Sequence, residues 1–194
     1  LYKRLELNID LCEELNISIY SFPMKYHPLR KGKCDADDFS HNRDYIGKHW
    51  NRKYIRAVQA ILNSTKGKIG KGMSFFLEAF GSTEDEYFQL LEMPETFILY
   101  RFFFKWLDEK GSMGTEHWRR CWNHCMMTLE EGEKKNVLDI IHRNVFSQEE
   151  LDTVVSDDAR ELLNFYTNYR KDIITPGTQL YELKQEYDAH QTIE

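Results

Sequence analysis

Apolar residues recur at helical intervals through most of the chain. Leu5, Ile9, Cys12 and Leu15 fall three or four apart between charged positions, which predicts an amphipathic helix over 2–15. Asn16, tolerant of the left-handed conformation, ends it. Ile17 to Met24 breaks the helical period with β-branched and aromatic residues, and Pro23 and Pro28 bound it, so a short β-strand is predicted there. A helix running straight into a strand is the αβ half of a βα repeat. Residues 31–43 hold Gly, Asp, Ser, His and Asn without a period and read as a surface loop.

Beyond that loop the pattern is helical throughout. Ile46, Trp50, Tyr54, Val58 and Ile61 form an apolar stripe over 44–62, with Lys48, Arg52 and Arg56 on another face. A Gly- and Lys-rich break over 64–72 precedes a short helix from Ser74 to Phe80. Ser82 with Asp85 then forms a capping pair for a helix to Glu92, and Pro94 suits a first helical turn. Phe97 to Leu107 is aromatic enough for a strand, but Arg101, Lys105 and Asp108 sit at i, i+4 and i+7, which predicts a buried helix. Thr115 is the expected cap of a helix to Glu131, with Gly132 as a kink or break before Val137, Ile140 and Ile141. Ser147 and Glu150 make a capping box for a helix interrupted near Ser156, and Thr175-Pro176 starts the last one, through Tyr187. The expected fold is mainly α, about eight helices with one short β-strand near the N-terminus. It divides into a terminal αβ unit (1–30), a loop (31–43) and a helical accessory domain (44–194).

A single apolar strand carries a physical demand, because its backbone N–H and C=O groups need partners. Those come either from a larger fold or from the strand of a second copy, giving a homodimer.

Composition narrows the class. The 194 residues are 41% hydrophobic and 14% aromatic, which fits a globular chain. A net charge of -6 makes nucleic acid an unlikely general partner, since non-specific phosphate binding is driven by clustered Lys and Arg. No apolar run approaches the roughly 20 residues that cross a bilayer, so no membrane partner is expected. Four unevenly spaced cysteines (12, 34, 121 and 125) suit a reducing, cytoplasmic setting better than a disulfide framework.

Four places offer chemistry. The end of the predicted strand presents Ser21, Phe22, Met24 and Tyr26, either as pocket lining, since strand carboxyl ends face ligands in α/β folds, or as ordinary core and turn residues. The basic face of the 44–62 helix, with His49 and Tyr54 beside Lys48, Arg52 and Arg56, suits RNA, an acidic partner or a phosphate-bearing substrate, although at this net charge a solvated helix face is the favoured reading. Lys66, Lys68 and Lys71 alternate with glycines ahead of a helix but lack the Walker sequence, so a solvated loop is the simpler reading. His117, Cys121 and Cys125 share a helical face with His124 adjacent, which offers two or three zinc ligands. Trp118 and Trp122 flank them and free cysteine is often a buried hydrophobe, so no metal ligand is assigned.

The segments Ser21-Phe-Pro-Met-Lys-Tyr-His-Pro-Leu29, Asp44-Tyr-Ile-Gly-Lys-His-Trp-Asn-Arg-Lys-Tyr54, Ala57-Val-Gln-Ala-Ile-Leu-Asn63, Thr65-Lys-Gly67 and Phe75-Phe76 together resemble the carboxy-terminal part of radical S-adenosylmethionine proteins described as Fe–S oxidoreductases. The resemblance covers about the first half of the chain. It implies that the front helix and strand are the remnant of a partial βα barrel, whose other half belongs to the same protein upstream of Leu1. It also implies S-adenosylmethionine and a [4Fe–4S] cluster for the full-length parent. The chain departs from the family where the cluster binds, because it has no CxxxCxxC loop: Cys121 and Cys125 have the first spacing, but position 128 is Thr. The expectation is therefore a piece that binds no cofactor alone and has no catalytic residue. Its role is to close the barrel and shape the substrate pocket with Ser21, Phe22, Met24, Tyr26, His49 and Arg52.

Overall fold

The computed structural model describes residues 1–17, 46–65, 72–112, 114–169 and 173–191. Within them run α1 (Tyr2–Leu15), α2 (Arg52–Ser64), α3 (Met73–Phe80), α4 (Glu84–Glu92), α5 (Glu95–Leu99), α6 (Arg101–Glu109), α7 (Thr115–Thr128), α8 (Glu131–Arg143), α9 (Gln148–Leu151), α10 (Asp157–Asn168) and α11 (Gln179–Gln191). No helix among the described residues is long and apolar enough to cross a membrane.

The first helix forms as its pattern dictates. Tyr2, Leu5, Ile9 and Cys12 are buried, and Asn16 takes φ 50° and ψ 46°, so that its own amide and that of Ile17 both donate to the Cys12 carbonyl. What α1 packs against differs from the expectation. Its apolar face lies on α3: the Tyr2 ring sits 5.2 Å from Phe76 and 5.4 Å from Tyr87, and its hydroxyl donates to the Gly81 carbonyl at 2.9 Å. The short β-strand and the partial βα barrel remnant are thereby corrected. Among the described residues every regular element is one of eleven helices, with no strand and no sheet. The face of α1 that a barrel would need against a sheet is spent on other helices, and β-branched and aromatic composition is only a weak indicator of strand. Most of the segment read as a strand, with Ser21, Phe22, Met24 and Tyr26, lies outside the described residues, as does the Gly/Lys break over 66–71.

The hub of the fold is α2, which packs against α5, α4 and α8 and buries Lys53, Ala57, Val58, Ala60 and Ile61. It starts later than the stripe suggests. Asn51 caps it, its side chain accepting from the Tyr54 amide at 2.7 Å, and Trp50 stays 40% exposed in the turn before it. Around this hub, one continuous core runs from Phe76 and Phe80 through Phe97 and Phe104 to Trp118, Ile140 and Leu162, all of them inaccessible to solvent.

The aromatic stretch 97–107 is helical, divided into α5 and α6 at Tyr100. Thr83 caps α4, one residue later than expected, and Glu86 reaches back to the Ser82 amide at 2.7 Å. Ser147 caps α9, accepting from Glu150 N at 3.3 Å, and Ser156 separates α9 from α10 by capping the latter. The start of α7 is held from the preceding helix instead of by Thr115 itself. The Asp108 carboxylate accepts from the Thr115 amide at 2.9 Å and the Thr115 hydroxyl at 2.8 Å. Gly114 is required for that approach, since a Cβ there would stand 2.3 Å from Asp108 Oδ1. Gly132 lies in the first turn of α8; the break comes before it, between Thr128 and Glu131.

Candidate functional site

The amphipathic pattern of α2 puts two different chemistries on its two sides. Inward, Lys53 shares a face with Ala57, Ala60 and Ile61 and is only 1% exposed. Its Nζ donates to the Met93 carbonyl at 2.5 Å. Burial pushes the Lys53 ammonium down to about 8, partly offset by Glu92 and Glu95.

One helical position along, Tyr54 donates to Glu92 Oε1 at 2.5 Å, and His142 Nε2 from α8 meets the same oxygen at 2.8 Å. The Tyr54 and His142 rings meet edge to face at 5.4 Å. Burial and the Glu92 hydrogen bond raise the Tyr54 hydroxyl well above its ordinary range. The Glu92 backbone carbonyl accepts from Tyr166 at 2.7 Å, and Trp118 Nε1 donates to the Tyr166 hydroxyl at 3.2 Å. The network thus ties α2, α4, α7, α8 and α10 together at one buried point. Its chemistry is that of a polar clamp, because Lys53 is enclosed and already bonded to a carbonyl.

Outward, the same helix lines an open hollow of about 370 Å³ with Arg52, Ile55, Arg56 and Gln59, joined by Ile46 and Asn144. Arg56 is held in a two-pronged pair by Glu95, with N–O distances of 2.9 to 3.1 Å. Of the residues predicted to line a pocket, Arg52 is at this hollow and His49 is exposed in the turn just before α2. His49 is not among the residues lining it. Ser21, Phe22, Met24 and Tyr26 lie outside the described residues, so the hollow is defined without them.

A second cluster sits where α7 crosses α10. His117 Nε2 is 3.4 Å and Cys121 Sγ 3.5 Å from Glu161 Oε1, and one turn further on His124 Nε2 is 3.2 Å from Asp158 Oδ2. Cys125 turns into the core, its thiol directed at the Asp158 carbonyl at 3.4 Å. Burial, reinforced by Glu161, pushes the Cys121 thiol up to about 11, and burial with Asp158 does the same for Cys125. Both are protonated at neutral pH unless a bound cation offsets the carboxylates.

The sequence pattern missed Lys53, Glu92, His142 and Glu161. For Lys53 a signal existed, since it falls at i-4 and i-8 from the apolar Ala57 and Ile61. Glu161 had none, because only the packing of α10 on α7 brings it to His117 and Cys121. No protein-family model matches the chain, and no curated protein and no solved structure does so either.

Proposed function

We propose that this chain is the helical accessory part of a radical S-adenosylmethionine Fe–S oxidoreductase, where it rests against a cluster-bearing catalytic domain and shapes the substrate pocket. The observation that carries this reading is the division of labour on α2. The described part (46–54) of the family-like segment Asp44 to Tyr54, together with Ala57 to Asn63, forms the turn before α2 and most of the helix, whose inner side is locked into the core by Lys53, Ala57 and Ile61. Its outer side leaves Arg52, Ile55 and Gln59 lining an open hollow. A rigid helix presenting a mixed polar and apolar face suits an internal domain contact.

The cluster, S-adenosylmethionine and the radical step belong to the catalytic domain. Among the described residues Cys121 and Cys125 form no disulfide, in keeping with work in the reducing cytoplasm. A self-contained RNA-binding module is the weaker reading, because Glu95 already neutralises Arg56 on the face it would use.

Hydrogen exchange tests the contact. Amides over 46–56 are expected to exchange more slowly in the product of the complete gene than in this chain alone. Equal exchange in the two would remove the proposed docking face.

A further inference from the structure

The cluster between α7 and α10 has the composition and spacing of a metal centre, independently of the reading of α2. His117 and Cys121 are four apart on α7, so their side chains stack on one face, and α10 brings Glu161 across to meet them. The three ligand atoms all lie within 4.8 Å of one another. Two of the separations are 3.4 Å for His117 Nε2 to Glu161 Oε1 and 3.5 Å for Cys121 Sγ to Glu161 Oε1. A tetrahedral centre with bonds of about 2.0 Å to nitrogen and oxygen and about 2.3 Å to sulfur has edges of roughly 3.3–3.6 Å.

We propose that His117, Cys121 and Glu161 bind a divalent transition metal of zinc type. Imidazole and thiolate select a borderline ion over magnesium or calcium, which take oxygen ligands. The His117 ring is held edge-on to Phe165 at 5.2 Å, which orients the imidazole from the core side. Cys125 is excluded as a ligand, since its thiol is buried and directed at the Asp158 carbonyl. The site offers three protein ligands, and the Glu161 side chain is 57% exposed, so the fourth position opens to water or to a small coordinating molecule. His124 and Asp158, one turn along, add a polar rim that favours a cation.

The test is titration of the reduced protein with Zn²⁺ and Co²⁺ alone. Cobalt is expected to give a thiolate charge-transfer band with intense tetrahedral ligand-field bands. Zinc affinity, read by competition with a chromophoric chelator, is expected to fall at least about ten-fold in His117→Ala, Cys121→Ser and Glu161→Gln. His190→Ala is expected to keep wild-type affinity, and Cys125→Ala to keep the cobalt band. Circular dichroism establishes that each variant is folded. Glu161→Gln, at the exposed end of the site, reads the same loss should a change at Cys121 disturb folding. A wild-type protein without the charge-transfer band, a band that survives Cys121→Ser, or an affinity unchanged in Glu161→Gln overturns the proposal.

Discussion

Replacing Lys53 with Met tests the buried side of α2 through the pH dependence of stability. Lys53 has a folded-state value of about 8 against an ordinary 10.5, because burial disfavours its charged form. Between those two values the unfolded chain holds the proton more tightly than the folded one, so stability rises with pH across that window. The gap of 10.5 - 8, at about 1.4 kcal/mol per pH unit, amounts to about 3.5 kcal/mol when complete, and about 2 kcal/mol of it is gained between pH 7 and pH 9.5.

Buried tyrosines act in the opposite sense. Tyr54, Tyr87 and Tyr166 are all raised by burial, so their contribution is present below pH 10 and lost as pH climbs past it. The quantity to read is therefore the difference between wild type and Lys53→Met, in which the tyrosines cancel. At neutral pH the variant also loses the bond to the Met93 carbonyl, which offsets part of the relief from burying a charge. Urea unfolding at intervals from pH 7 to pH 9.5 measures this directly. Wild type should gain about 2 kcal/mol on the variant over that range. Parallel profiles would refute the burial of a charged Lys53 on the inner face of α2.

Two further perturbations probe the framework. Asp108→Ala should lower stability by about 1–2 kcal/mol in urea unfolding, since it strips the cap from α7 while leaving the core intact. Phe104→Ala should cost about 3–5 kcal/mol, because Phe104 is inaccessible and packs edge-on to Phe97 at 4.5 Å.

Local signals were legible in the sequence wherever a helix decides its own ends and faces. The buried Leu5, Ile9 and Cys12 of α1, its Asn16 stop, the helical period through α6 and the Ser147 cap all rest on residues close together in the sequence, although Leu15, expected on the same stripe, is exposed. What escaped was set by tertiary contact. Asp108 caps a helix that begins seven residues later, the buried Lys53 is satisfied by the carbonyl of Met93 just past α4, and Glu161 reaches His117 only across a helix crossing. The partial-barrel reading failed because α1, the helix a barrel would set against a sheet, finds its surface on α3, and no strand or sheet occurs among the described residues. Within the expected pocket, Arg52 is at a hollow, while the four residues from Ser21 to Tyr26 lie outside the described residues.

The central claim is that these helices serve a radical S-adenosylmethionine enzyme whose cluster is carried outside this chain. It is tested most directly on the product of the complete gene, purified without oxygen and reconstituted with iron and sulfide. Given S-adenosylmethionine and dithionite, that protein should show the electron paramagnetic resonance signal of a reduced [4Fe–4S] cluster and form 5′-deoxyadenosine. A complete product that takes up no cluster and forms no 5′-deoxyadenosine would contradict the account.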